Sequence, residues 1–162
     1  FSIYKQLGNS TSKRPWILAW GLSTQMNIGI KDQRFISAMG SGRTVRGFSY
    51  PTRLNYYDNE QSYRFGFNNY STSLELRKIA VPRTVMFDRY EFGATVAGFI
   101  DYGTTTQNEF SKLLNSKGIL GVGLSLQFQG PWPSILRLDY GWGFYDGENK
   151  GSAMHLDIGH KI

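Results

Sequence analysis

The chain has 162 residues, of which 40% are hydrophobic and 15% aromatic, with 19 glycines, no cysteine and a formal net charge of +6. This composition excludes a disulfide framework and a cysteine-ligated metal site, and the sequence lacks the roughly 20-residue apolar run that a membrane-spanning helix needs. Lysine and arginine are scattered rather than clustered, so we expect no nucleic-acid partner.

Alternating apolar and polar residues predict a succession of β-strands. A weak strand lies in residues 1–7, and six stronger ones lie in residues 16–30, 63–79, 92–103, 119–128, 135–145 and 152–162. The fourth of these six shows the pattern well, because Leu120, Leu124 and Phe128 fall on one face and Gly121 and Ser125 on the other. The alternation therefore predicts an all-β fold.

The two faces of the predicted strands differ in chemistry. In a soluble sandwich or lipocalin-like barrel the oily face points inward, and the outer face is rich in charge. Here the second face is mostly glycine, alanine, serine and glutamine, which suits a hydrated lumen, while the oily face suits lipid. We therefore predict a transmembrane antiparallel β-barrel, with a soluble barrel of inverted pattern as the alternative. The tryptophans expected in its interfacial girdles are Trp16, Trp20, Trp132 and Trp142.

A long segment, residues 31–61, separates the first two strong strands. It contains the stretch MGSGRTVRGFSY, from Met39 to Tyr50, which is basic and rich in glycine. The glycines at 40, 42 and 47 allow tight turns and positive φ angles.

Five sequence blocks resemble one family in content and order. They are VRGF (Val45, Arg46, Gly47, Phe48), SLELRKIAVP around Glu75, GFIDYG around Asp101, GVGLSLQF and ILRLDYGWGF. They resemble the C-terminal half of the bacterial surface-antigen barrels, the superfamily of BamA, TamA and the secretion pore FhaC, with organellar Sam and Toc relatives. The resemblance runs from about residue 15 to the end of the chain.

The resemblance implies a sixteen-stranded barrel, of which residues 1–162 supply the C-terminal half with six or seven strands. Residues 31–61 become a long extracellular loop that folds back into the lumen. In the family, the arginine equivalent to Arg46 pairs with the acid of an F-x-D-x-G strand, here Asp101 between Phe99 and Gly103, and often with a second acid, here Glu75.

The alternation supports this placement independently, because Asp101 and Glu75 both fall on the small, polar face of their strands. Two alternatives stay open: Arg46 as a solvated loop residue, and Arg77 as the partner of Glu75.

In function, the resemblance implies a non-enzymatic barrel in the outer membrane of a Gram-negative bacterium rather than of an organelle. An insertase of this kind templates incoming strands at a lateral seam formed by its last strand, here Ser152 to Ile162. The seam residues are Ser152, Leu156, Ile158, Gly159 and Ile162. The alternatives are a secretion pore gated by the loop, and a small structural barrel without a transport role.

The expected partners are membrane lipid, the rest of the barrel, supplied by missing N-terminal strands or another chain, and nascent outer-membrane proteins or a secreted polypeptide. The chain begins on FSIYKQL without a leader and ends on Ile162 rather than on an aromatic residue, so we expect a piece of a longer protein.

Other motifs predict no chemistry. Asp139 and Asp157 resemble an acid pair for hydrolysis, but no nucleophile accompanies them, and Asp139 is expected to pair with Arg137 in a cross-strand charge ladder. His155 and His160 fall on opposite faces of one strand, so they do not predict a shared metal. We expect no enzyme activity, metal or cofactor.

Overall fold

A computed structural model describes residues 1–9, 11–29, 31–52, 61–86, 89–131 and 134–159. Its strands are β1 (Ser2–Leu7), β2 (Trp16–Gln25), β3 (Ser37–Ala38), β4 (Phe65–Gly66), β5 (Asn68–Met86), β6 (Tyr90–Thr106), β7 (Ile119–Gln129), β8 (Ile135–Tyr145) and β9 (Glu148–Ile158). Among these residues, three short 3-10 helices lie at Gln33–Phe35, Ser62–Arg64 and Phe110–Asn115. Within the described residues, no helix is long and apolar enough to span a membrane. The all-β prediction is confirmed.

Seven strands form one antiparallel sheet in the order β1-β2-β5-β6-β7-β8-β9. Because neighbours in the sheet follow chain order, each connection joins adjacent strands, as in an up-and-down barrel wall. The small strands β3 and β4 pair with each other in the segment between β2 and β5. Among the described residues, β1 and β9 each pair on one side only, so the sheet is part of a wall.

Several predicted strand limits differ from the structure. The predicted strand at 16–30 stops at Gln25, because the Asn27 backbone N–H donates instead to the Asn68 side-chain oxygen at 2.8 Å. The predicted strand at 63–79 starts at Asn68 and continues to Met86, because residues 62–66 form a 3-10 turn and β4. The last strand starts at Glu148, earlier than predicted, and is described as far as Ile158. The weak strand at residues 1–7 is confirmed as β1.

The sheet has an apolar face that points away from the segment between β2 and β4. Its side chains are strongly exposed, with Leu124 at 65% and Ile158 at 73% of full accessibility. Trp20 lies on this face, and its indole N–H donates to Thr72 Oγ1 at 2.9 Å, which satisfies both polar groups without water. The apolar residues of the central strands on this face include Val96, Ile100, Leu120, Leu126, Phe128, Tyr140 and Trp142.

The opposite face is covered by residues 39–48 of the long segment. Met39, Val45 and Phe48 form a buried cluster with Ile119 at the start of β7. Small wall residues allow this close approach: a Cβ at Gly103 would collide with Met39 and Val45. This covered face is the inner face of the wall, and the apolar face is therefore the outer one.

The assignment of faces predicts the solvent that each side chain meets. In the full-length protein reconstituted in liposomes, we expect Leu124→Cys to react with a lipid-soluble thiol reagent and to resist a water-soluble one. Ser23→Cys, on the exposed part of the inner face, should behave in the opposite way. Reactivity is read by mass spectrometry after limited labelling. A reversed pattern would indicate a soluble barrel with its oily face inward.

Candidate functional site

The candidate site is built where the inner loop, defined here as residues 31–52, meets the inner face of the sheet. Gly40 and Gly47 adopt positive φ angles of 90° and 95°, which side chains with a Cβ rarely adopt. Between them the chain turns, with the Gly40 N–H donating to Thr44 Oγ1 at 3.0 Å and the Thr44 N–H donating to the Ser41 carbonyl at 3.2 Å. The turn places Arg46 against the wall.

Arg46 is completely buried and is held by a two-pronged contact with Asp101. Its Nε lies 2.7 Å from Asp101 Oδ2 and its Nη2 lies 2.8 Å from Asp101 Oδ1. The Arg46 backbone N–H also donates to Asp101 Oδ2 at 2.9 Å, and the Asp101 carboxylate accepts a hydrogen bond from Ser73. The Phe99 ring lies under the guanidinium, 3.5 Å from its centroid. This geometry fixes the direction of the arginine as well as its charge.

Two further carboxylates face the same guanidinium. Arg46 Nη1 lies 2.6 Å from Glu75 Oε1 and 3.7 Å from Asp139 Oδ1, as ion pairs rather than aligned hydrogen bonds. Glu75 is shared, because Arg77 Nη2 lies 2.6 Å from Glu75 Oε2. Both partners considered for Glu75 from the sequence are therefore present.

Strand register assembles these groups from separate parts of the chain. Glu75 and Ser73 on β5 lie opposite Phe99 and Asp101 on β6, so one patch of wall carries both acids and the ring. Asp139 comes from β8, where Arg137 Nε lies 2.9 Å from Asp139 Oδ2. The buried cluster comprises the cations Arg46, Arg77 and Arg137 and the anions Glu75, Asp101 and Asp139. Its charges balance, as burial requires.

Arg46 stays charged in this environment. Burial alone would lower the pKa of its guanidinium, but the hydrogen bonds and negative charge of Asp101, with the charges of Glu75 and Asp139, raise that pKa above its ordinary value. The arginine therefore remains a fixed positive charge that donates hydrogen bonds, and it does not act as an acid.

Arg64 is a further buried arginine, outside this cluster, and it was not identified from the sequence. It donates to the carbonyl oxygens of Met39 at 3.0 Å, Gly40 at 2.8 Å and Ser49 at 2.6 Å, and to Gln61 Oε1 at 2.9 Å. It ties together the start and the end of the turn that carries Arg46. Its main acceptors are backbone atoms, which leave no pattern in the sequence.

The predicted seam residues lie apart from this cluster. Ser152, Leu156 and Ile158 are exposed on β9 and point outward. Gly159 follows β9 with a φ of 108°, and its N–H donates to the Ile135 carbonyl at 2.7 Å. Ile162, like Trp132 and His160, lies outside the described residues.

The cluster has the chemistry of an anchor. Each of its three carboxylates faces at least one guanidinium, and the described residues contain no group of three potential ligands that could hold a metal ion. What the arrangement can do is hold a loop at a defined place on the wall.

Comparison with known protein families gives a match over the whole chain. A family model described as the Omp85 superfamily domain matches residues 1–162, which confirms the resemblance to the surface-antigen barrels. Neither the curated proteins nor the solved structures provide a match.

The anchor predicts the effect of removing Arg46. Arg46→Ala leaves buried carboxylates facing one another, and loss of one partner from such a pair typically costs about 3–5 kcal/mol. We expect a folded wall whose inner loop is cleaved by protease between residues 39 and 50, as mapped by mass spectrometry. Arg34→Ala is the matched control, because Arg34 lies in the same loop, is exposed, and pairs with Asp32. Equal protection of the loop in the two variants would contradict the anchor.

Proposed function

Because the chain belongs to the Omp85 superfamily, we propose that it forms the C-terminal half of an outer-membrane insertase. Barrels of this superfamily lie in the outer membrane and insert or secrete other proteins. In this proposal β9 is the edge of a lateral seam, where an incoming strand pairs before it enters the membrane. Membrane lipid, the remaining strands of a sixteen-stranded barrel and nascent outer-membrane proteins are the partners in this proposal, and the host is a Gram-negative bacterium.

The burial of the Arg46 cluster favours insertion over secretion through a loop-gated pore. Arg46, Glu75, Asp101 and Asp139 all have fully buried side chains. A pore gated by the inner loop would have to expose or separate these charges whenever a substrate passes, and separating a buried pair costs several kcal/mol. If the loop stays anchored, a substrate polypeptide has to engage the protein at the edge of the wall rather than at the loop.

The geometry of β9 fits this role. The Gly159 N–H points toward β8, and in an antiparallel strand successive residues direct their backbone groups to opposite sides. The backbone groups of Met154, Leu156 and Ile158 therefore point to the other side of β9, where the described part of the chain supplies no strand. An extended polypeptide added there gains main-chain hydrogen bonds without any bond-making chemistry.

The side chains of the same residues face lipid. Met154, Leu156 and Ile158 are about 70% exposed, at 69%, 68% and 73%. A strand that pairs with β9 would extend this apolar surface, so pairing and membrane insertion favour each other. The secretion pore remains the second candidate, and it predicts that the loop leaves the wall during transport.

A single edge amide tests the proposal. In the full-length protein, Leu156→Pro removes an N–H that points away from β8 and keeps the ladder to β8, while Leu156→Ala removes the side chain and keeps the N–H. We expect Leu156→Pro to slow the insertion of an unfolded outer-membrane protein into liposomes by about fivefold or more, the equivalent of one lost hydrogen bond. Leu156→Ala should retain most of the activity.

Heat-modified mobility on gels, a property of folded barrels, serves as the folding control for both variants. Full insertion activity in folded Leu156→Pro would contradict the seam and favour the pore.

A further inference from the structure

Besides the Arg46 anchor on β5, β6 and β8, the inner loop has a second contact with the wall, at β8 and β9. Arg137 on β8 donates through Nη2 to the Gly42 carbonyl at 2.8 Å and to Asp157 Oδ2 on β9 at 3.1 Å. Arg43 Nε lies 3.8 Å from the other oxygen of the Asp157 carboxylate. One guanidinium thus bridges the loop, β8 and β9.

Packing at Gly42 makes this contact close. A Cβ at residue 42 would collide with the Asp157 carboxylate and press on His155 Cβ, both on the inner face of β9. The loop therefore rests directly on the last strand. A side chain at position 42 would force Asp157 to turn away from Arg137.

The bridge is continuous with the buried cluster. Arg137 Nε faces Asp139 Oδ2 at 2.9 Å, and Asp139 Oδ1 faces Arg46 Nη1 at 3.7 Å. Burial falls along this path: the Arg137 side chain is 2% exposed, Asp157 is 22% exposed and Arg43 is 84% exposed. The link to β9 is consequently the weakest part of the network, and it can break while Arg46 stays anchored.

We propose that Arg137 is a positioning residue that couples the inner loop to β9 through Asp157, so that each element stabilises the position of the other. The described sheet holds β9 on one edge only, and the loop braces it from the inner side. The functional meaning of the coupling rests on the proposed seam, because β9 is the strand expected to meet an incoming chain. The coupling itself is a property of the folded protein and is measurable without a substrate.

A contact that couples the inner loop to β9 acts in both directions. Two sites that are energetically linked affect each other in both directions. A change on β9 should loosen the loop, and a change in the loop should loosen β9. If the contacts among Gly42, Arg137 and Asp157 contribute nothing to the position of the other element, a substitution would affect only the element that carries it.

Hydrogen exchange in the full-length protein, reconstituted in liposomes, tests the proposal. We expect Asp157→Asn to accelerate amide exchange in residues 41–46 of the loop by roughly threefold or more. An effect of this size is typical of the coupling between residues that share one ion-pair network. Gly42→Ala should accelerate exchange in residues 153–158 of β9 by a similar factor. Arg137→Lys should do both, since one ammonium cannot contact Asp139, Asp157 and the Gly42 carbonyl together.

Matched controls use ion pairs outside the network. Asp146→Asn disrupts an exposed pair with Lys117, and Arg34→Ala disrupts one within the loop, and neither should change exchange in either segment. Partial retention of protection in Asp157→Glu would support the role of the carboxylate.

Exchange that rises only in the substituted element, in both directions, would overturn the coupling. If Asp157→Asn does not fold, Gly42→Ala and Arg43→Ala still carry the test from the loop side. Because this readout is independent of insertion, a failure here is distinguishable from a failure of the seam, which the Leu156→Pro assay reports.

Discussion

The buried guanidinium of Arg46 sets the main constraint on this structure. A cation with no exposed surface is tolerated only if anions and hydrogen-bond acceptors surround it, and here Asp101, Glu75 and Asp139 meet that need from three strands. The strands must therefore keep a register that brings β5, β6 and β8 to one patch of wall. The inner loop must also lie at one distance from the wall, because only then does Arg46 reach all three carboxylates. The anchor therefore fixes both the position of the loop and the register of the strands.

Other features of the wall follow from how closely the inner loop packs against it. The chain of the loop passes so close to the sheet that Gly121 has no room for a Cβ beside the Arg46 carbonyl, and Gly143 has none beside Phe48. Small residues on the inner face are thus required by loop packing, while the outer face is left to large apolar side chains that suit lipid. The division of faces, the glycines of the inner face and the buried charges all follow from the close packing of the inner loop against the wall.

The strand faces and the family were predictable from the sequence, whereas the start of β5 and two contacts of the buried arginines were not. Alternation placed Glu75 and Asp101 on one face, and five motifs in order indicated the family. The predicted start of β5 was wrong, because residues 62–64 form a 3-10 turn and Phe65–Gly66 pair with Ser37–Ala38, and such pairing overrides local periodicity. Arg64 was missed because its main acceptors are backbone carbonyls, and the approach of Asp139 to Arg46 depends on loop depth, which no strand pattern encodes.

The central claim is that Arg46 and Asp101 form a directed pair that holds the loop. A charge swap tests it most directly: Arg46→Asp, Asp101→Arg and the double variant are compared by protease protection of residues 39–50. We predict that the double variant recovers part of the protection lost in each single variant, a coupling of about 1–3 kcal/mol, since arginine on the wall cannot reproduce the fork geometry offered from the loop. Strictly additive losses would contradict the pair and leave these residues as a loop that merely lies on the wall.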